Sequence, residues 1–249
     1  MYCGSESLDK FKEYGEDLGL PTVSKISSDG KFLLIGSRGG SIKVFTLKDK
    51  KCKLDFTNVH GNSVTVLELA NNDKWLISAS LDKTIKIWDM ADKTRLLNIS
   101  TTIQGGVTCI SMAKNESFLV CGFDTGLISI LDIKDWRIRC DFPQKYKGPV
   151  RALTLYNDDQ DVLVHGFDGS VSCWNIKERK LTKTIVEAYE DEKYYSKISR
   201  GLALTPNQQH LIVAGLDSSI IFIDLHTEKQ HKISLGHHAD ITALACVKD

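Results

Sequence analysis

The stretch Thr84-Ile-Lys-Ile-Trp88 decides the fold, because it recurs along the chain at a fixed spacing. It aligns without gaps with Ser41-Ile-Lys-Val-Phe45, Leu127-Ile-Ser-Ile-Leu131 and Ser170-Val-Ser-Cys-Trp174, successive copies lying 43 residues apart. Ile42, Ile85, Ile128 and Val171 hold one column, Phe45, Trp88, Leu131 and Trp174 a second, and Phe32, Trp75 and Phe118 a third. A fifth copy, Ser219-Ile-Ile-Phe-Ile223, follows after 49 residues, so six have been inserted before it. A period of this length marks a repeat architecture, in which one supersecondary unit cannot bury its apolar face alone and must stack on its neighbours.

Within each copy, short apolar and polar alternations sit between turn clusters, the pattern of half-buried antiparallel strands. The second copy reads as strands over 64–69, 75–80, 84–89 and 96–100, and the third over 107–112, 118–123, 127–133 and 138–142. Turns are expected at Asn71-Asn72-Asp73, Asp124-Thr125-Gly126 and Asp168-Gly169, where the residue types tolerate tight geometry. Four short antiparallel strands every 43 residues look like the blades of an all-β propeller.

The residues around the repeat resemble the WD-repeat family. Ile87-Trp88-Asp89 closes a third strand, Asp82-Lys83-Thr84-Ile85 forms the turn before it, and Val59-His60 or Gly236-His237 precedes a first strand. The pair Trp88-Asp89 is intact, while Leu131-Asp132, Trp174-Asn175 and Ile223-Asp224 are variants. The resemblance runs over 23–249, with repeats near 23–58, 59–101, 102–144, 145–193 and 194–235 and a partial sixth at 236–249. It implies four-stranded antiparallel blades and a non-enzymatic scaffold for protein–protein interaction within a multiprotein complex.

His60, Ser78 and Asp82 are expected to converge in the second blade, and such a set has a hydrolase reading. The resemblance implies instead a structural tetrad with Trp88, in which Asp82 orients His60, and His60 reaches Ser78 and the indole N–H. No Gly-x-Ser-x-Gly elbow frames Ser78, so no catalytic residue is assigned. Asp168 and Trp174, with Tyr146 at the histidine position, keep part of the tetrad in the fourth copy, and Asp217 with Tyr195 in the fifth; the third has lost most of it.

Function in such folds sits in loops that depart from the repeat. The largest departure is 187–197, where Tyr189, Tyr194 and Tyr195 stand among Glu187, Glu190, Asp191 and Glu192. Tyr189, Glu190, Asp191, Tyr194 and Tyr195 are the candidate partner-binding residues, and a basic peptide is the favoured ligand. The competing reading is a solvated loop in which Tyr195 replaces the tetrad histidine. Trp136 marks a turn in the third copy, either as a second contact or packed on its own hairpin. The arginine that marks ubiquitin-ligase receptors in this family, two residues after the Trp-Asp pair, is Ala91 here, with Lys177 at that spacing after Trp174-Asn175.

Composition bounds the alternatives. The 249 residues hold 32 basic and 32 acidic side chains, 42% hydrophobic residues and four prolines, which suits a soluble globular chain. Zero formal charge argues against a nucleic-acid partner, which needs a basic footprint. The basic run 48–53 in the turn before a fourth strand keeps a lipid- or nucleic-acid-binding alternative in view, centred on Lys50, Lys51 and Lys53. Ser37-Arg38-Gly39-Gly40 lies between two strands and reads as a hairpin turn rather than a phosphate loop.

No run is long and apolar enough for a membrane span, and the first twenty residues are charged, so a cytoplasmic protein is expected. Seven cysteines, Cys3, Cys52, Cys109, Cys121, Cys140, Cys173 and Cys246, form no Cys-x-x-Cys pair and are expected to be reduced and mostly buried. His165, His210, His226 and His231 lie at no metal spacing and read as solvated or satisfied, so no metal and no cofactor are assigned. Residues 1–22 read as a cap or the remnant of an earlier blade, Ser7-Leu8-Asp9-Lys10 echoing Ser80-Leu81-Asp82-Lys83. Because 241–249 supplies only the first strand of a sixth copy, the ring reads as incomplete. It is a fragment, a truncated gene model, a ring completed by another chain, or a compact five-bladed closure.

Overall fold

The computed structural model describes residues 19–92, 94–102, 104–143, 146–188, 201–215 and 218–234, together with Ile241, Leu244 and Cys246. These residues form five four-stranded antiparallel sheets and no helix, each sheet a meander in chain order. The architecture is all-β, and the sheets are numbered I to V here.

The chain divides into two compact units, Met1–Val107 and Thr108–Asp249. The first unit holds sheet I, with strands Pro21–Ile26, Phe32–Ser37, Ile42–Thr46 and Cys52–Phe56, and sheet II, with Val64–Ala70, Trp75–Ser80, Thr84–Asp89 and Arg95–Ser100. In the second unit, save for Val107 at its start, sheet III runs from Val107–Met112 through Phe118–Phe123 and Ile128–Asp132 to Arg137–Asp141. Sheet IV follows as Ala152–Tyr156, Asp161–His165, Val171–Asn175 and Lys180–Val186, and sheet V as Leu202–Leu204, His210–Ala214, Ser219–Asp224 and Gln230–Ser234. The strands expected at 75–80, 84–89, 107–112 and 118–123 match in full, and the other four differ by one residue at one or both ends.

Alternation reads as half-buried strands, and some of the middle strands are more buried than that. Trp75–Ser80 is buried at every position after the first, and Ile42–Thr46 at every position before the last. The fourth strands carry the exposure, as in Arg95–Ser100 and Gln230–Ser234. A middle strand covered on both faces needs a neighbouring sheet. In the first unit Leu34, Val44 and Leu54 of sheet I pack in one cluster with Leu67, Leu76 and Trp88 of sheet II. In the second unit Val120 and Ile128 join Leu153, Val162 and Trp174, and Leu163 and Cys173 join Leu211 and Ile223.

Two further devices recur between neighbouring sheets of the same unit. Thr22 donates its hydroxyl to the Gly36 carbonyl (3.2 Å) and to Val64 O of the next sheet (2.5 Å). Thr108 does the same with Gly122 O (3.0 Å) and Val150 O (2.7 Å). Thr22 sits at a bulge between the paired residues Pro21 and Val23, which turns its side chain off the normal alternation. The second device joins the first turns of adjacent sheets: Ser28 N–H donates to Asp73 (2.7 Å), Lys114 N–H to Asp159 (2.7 Å) and Asn157 N–H to Gln208 (2.9 Å).

The turns expected from sequence use left-handed backbone. Asn71, Asn72 and Asp73 all have φ between 53° and 62°, and Gly126 and Gly169 have φ of 86° and 80°. The Ser37-Arg38-Gly39-Gly40 segment is a hairpin closed by Gly40 N–H on Ser37 O (3.2 Å). Gly40 has a second reason to be glycine: a Cβ there would stand 2.0 Å from the His60 carbonyl oxygen, while His60 N–H donates to Gly40 O at 3.0 Å. Gly40→Ala therefore meets both a φ of 83° and a backbone clash. We expect it to cost about 2–4 kcal/mol in urea denaturation, against near-neutrality for Gly39→Ala, whose Cβ would meet only the Ser37 hydroxyl at 4.0 Å.

Candidate functional site

His60, Ser78, Asp82 and Trp88 come together in sheet II. His60 is delivered by the loop before the first strand, Ser78 and Trp88 by the second and third strands, and Asp82 by the tight turn between those two. His60 Nδ1 lies 2.9 Å from Asp82 Oδ2, His60 Nε2 lies 2.8 Å from Ser78 Oγ, and Trp88 Nε1 donates to Ser78 Oγ at 2.9 Å. A carboxylate only accepts, so Nδ1 carries the proton, Nε2 accepts from the Ser78 hydroxyl, and that hydroxyl accepts from the indole. Every donor in the relay has an acceptor.

Burial sets the charge state. It lowers the His60 pKa below the ordinary imidazole value, outweighing the opposing pull of Asp82, so the ring is neutral at pH 7. For Asp82 burial works upward. Hydrogen bonds from Thr84, Gly61 N–H and His60 outweigh it and leave the carboxyl below its usual range. The contact is a hydrogen bond from neutral imidazole to carboxylate rather than an ion pair.

The same distances would suit a Ser-His-Asp nucleophile, and access decides against it. Ser78 is 0% exposed, and its oxygen is already shared between the histidine and the indole. A substrate carbonyl has no approach to that oxygen.

Sheet IV builds the relay differently. Tyr146 occupies the histidine position, is buried, and has its phenol pushed up to about 12 by that burial. Its hydroxyl hydrogen-bonds Ser172 Oγ, and Trp174 Nε1 donates to Ser172 at 3.0 Å. Asp168 turns instead to Ser170, accepting from its N–H (3.0 Å) and hydroxyl (2.7 Å). The residue in the Ser78 column is Val164, and the hydroxyl has moved to its cross-strand partner: Ser78 pairs with Lys86, Val164 with Ser172. Sequence reasoning missed Ser172 because it compares columns, and this exchange happens between two columns. The signal that would have found it is the pairing register, which places 78 and 86 side by side on one face.

The third-strand member of that pair is buried in every sheet, and each sheet fills the pair differently. Sheet I has Ile35 with Lys43, whose ammonium lies 3.5 Å from Asp55. Lys86 of sheet II donates to Val59 O, and sheet III has Cys121 with Ser129, which donates to Asp141. Sheet V has Val213 with Ile221 and no polar atom. The partner relay of that sheet falls at Tyr195 and Asp217, outside the described residues.

The candidate loop residues Tyr189, Glu190, Asp191, Tyr194 and Tyr195 also lie outside the described residues. Trp136 is half-buried rather than exposed, in a turn where its φ is 56°. The basic run is only partly a turn: Lys50 takes a φ of 57° there, but Lys53 stands on the fourth strand of sheet I, its ammonium 4.1 Å above the Phe32 ring. Of the described cysteines Cys121 and Cys173 are buried while Cys52, Cys109, Cys140 and Cys246 are half-buried, all as free thiols. Among the described residues no three His, Cys, Asp or Glu side chains gather as a metal site.

His165 is the departure with the largest physical cost. It was read as solvated or satisfied, and it is neither: the side chain is fully buried, and neither ring nitrogen has a hydrogen-bond partner among the described residues. Its column holds Gly36, Ala79, Gly122 and Ala214 in the other sheets. The reason for small residues is visible at Gly36 and Gly122, where a Cβ would come within 2.7 Å of Val64 and Val150 on the next sheet. The threonine that bonds this column's carbonyl is replaced too. Arg151 stands where Thr22, Thr65 and Thr108 stand elsewhere, donates its N–H to His165 O (2.9 Å) and holds Phe167 O with Nε and Nη2 at 3.1 and 3.0 Å.

Burial, with the Arg151 cation adding to it and Asp168 opposing, lowers the His165 pKa to about 3. The unfolded chain takes up this proton below about pH 6.5 and the folded chain does not. Stability is therefore complete above pH 6.5 and falls as pH drops toward 3. His165→Ala removes that slope. Between pH 7 and pH 4 the variant should lose about 3 kcal/mol less than the wild type in urea denaturation, and equal losses would show that His165 is protonated in the fold.

The G-beta repeat model of the WD domain matches residues 50–89. No curated protein matches the chain. The matched segment starts just before the fourth strand of sheet I and ends with the third strand of sheet II, so it contains His60, Ser78, Asp82 and Trp88. With five repeated four-stranded antiparallel sheets, it fits a WD-repeat, propeller-like family.

Proposed function

We propose that this WD-repeat chain is a non-enzymatic scaffold that holds protein partners within a multiprotein complex. WD-repeat domains are in general protein-interaction scaffolds. The observation that carries the reading for this chain is how the Ser78, His60 and Asp82 set is used. Ser78 spends both hydrogen-bonding directions inside the sheet, as donor to His60 and acceptor from Trp88, with no exposed surface. A group so occupied stabilises its loop and turn, and binding falls to the surface.

The segment proposed to carry partners is 187–197, which interrupts the period with three tyrosines among four acids. Tyr189 and Tyr194 supply the amphipathic anchors and Glu190 and Asp191 a rim that favours a basic segment of the partner. A reducing compartment such as the cytoplasm suits the six free cysteines.

Two substitutions test this. Ser78→Ala strips the acceptor from the Trp88 N–H and the donor from His60 Nε2, so stability should fall by about 2–3 kcal/mol with partner capture unchanged below the melting transition. A Ser78-dependent esterase activity in the wild type would instead establish the hydrolase. Tyr189→Ala with Tyr194→Ala should reduce capture of a lysine- and arginine-rich partner peptide at least tenfold without lowering the melting temperature; undiminished capture would remove this segment from the reading.

A further inference from the structure

A cavity of about 480 Å³ opens within the first unit, where sheets I and II meet beside the turns that precede their second strands. Its floor is apolar and comes from both sheets: Phe32, Leu34, Val44 and Leu54 from sheet I, and Leu69 and Met90 from sheet II. Around the floor stand two carboxylates and two ammonium groups, and their bookkeeping is uneven. Asp73 accepts from Ser28 N–H (2.7 Å) and the Ser28 hydroxyl (2.9 Å), and Asp29 accepts from Ser27 Oγ (2.7 Å) and Lys31 N–H (3.0 Å) and pairs with the Lys31 ammonium (3.0 Å). Lys53 and Lys74 line the same cavity, one from each sheet, and neither has a carboxylate partner among the described residues.

The repeat supplies an internal control. The corresponding positions of sheets III and IV lie 86 residues on, where Lys53 becomes Arg139 and Lys74 becomes Gln160. Arg139 is neutralised within its own sheet, by Asp132 at 3.3 Å and Asp135 at 2.6 Å. In sheet I the first of those acids is replaced by Thr46, and the second is kept as Asp49 but is drawn to the Thr46 hydroxyl. One cation is satisfied at the equivalent place and the other is absent. In the first unit both remain unneutralised over an apolar floor.

We propose that this cavity binds a small anionic amphiphile, a single apolar chain ending in a carboxylate, with the chain on the Phe32–Leu34–Leu69–Met90 floor and the acid between Lys53 and Lys74. The volume is that of a pocket for one small molecule, and a carboxylate met by two ammonium groups makes charge-assisted hydrogen bonds. The Lys53 ammonium already lies 4.1 Å from the centre of the Phe32 ring, which holds the charge beside the apolar floor. This inference is independent of the scaffold reading and of the segment 187–197.

The test is calorimetric titration of the whole chain with sodium decanoate below its micelle-forming range. The proposal expects saturable binding of one molecule per chain, and at least tenfold weaker binding of decan-1-ol, which keeps the chain and loses the acid. Lys53→Gln with Lys74→Gln, two exposed changes that leave the floor intact, should weaken decanoate about tenfold or more and leave decan-1-ol unchanged. Met90→Trp, which fills the cavity, should abolish both. Absence of saturable decanoate binding to the wild type overturns the proposal, as does a lysine double variant that binds like the wild type. Phosphatidylglycerol vesicles separate a free amphiphile from a membrane surface: adsorption that depends on the two lysines but survives Met90→Trp, with no decanoate binding, would replace the cavity by a surface contact.

Discussion

The middle strands are more buried than their alternation implies, most completely in Ile42–Thr46 and Trp75–Ser80, and much of the structure follows from that constraint. A four-stranded sheet covers one face of its second and third strands only when another sheet lies against it, so neighbouring sheets within a unit share a core. The alternating pattern still puts a polar residue at every other place on the third strand. With no wet face to receive them, Lys43, Lys86, Ser129 and Ser172 lie inside and each finds a partner: Asp55, Val59 O, Asp141 and the Tyr146 hydroxyl. The hydrogen-bonded relay around Ser78 belongs to this group of buried polar solutions.

How much of this was legible in the sequence depends on whether information runs along a column or across strands. The period of 43, the four strands per copy and the left-handed turns at Asn71-Asn72-Asp73 are column properties, and the structure places them where the repeat implies. The contacts among His60, Ser78, Asp82 and Trp88 are those that the WD-repeat resemblance implies. Ser172 was not, because the column where a hydroxyl was sought holds Val164. Stacking of sheet on sheet was legible in the repeat, but its extent was not: an alternating third strand reads as half-buried, whereas Lys43, Lys86, Ser129 and Ser172 all lie inside. Lys53 reads as turn with the rest of the basic run 48–53, but pairing with the third strand extends the sheet to Cys52 and carries Lys53 with it.

Sheet IV concentrates the departures. It exchanges histidine for Tyr146, moves the hydroxyl to Ser172, and replaces the threonine and small-residue pair by Arg151 and His165. The six inserted residues follow directly after its fourth strand, and the next sheet opens on a first strand of only three residues, Leu202–Leu204. Val64 enforces the small residue at Gly36 and Val150 the one at Gly122. The position that continues that series is 199, beyond the inserted residues and outside the described ones. The change of residue types in sheet IV and the break in the period thus fall at the same junction of the chain.

The exchange of hydroxyl between the Ser78 and Ser172 positions has a consequence for anyone who grafts or shuffles such repeats. Two blades can score as equivalent at each separate position and still be incompatible, because one stores its hydroxyl on the second strand and the other on the third. Splicing the second strand of sheet IV to the third strand of sheet II would place Val164 beside Lys86 and leave the indole without any acceptor; the reverse splice would set Ser78 beside Ser172 and crowd two hydroxyls onto one N–H. The modular element of this protein is therefore the hairpin formed by the second and third strands, and crossover points belong in the turns outside it.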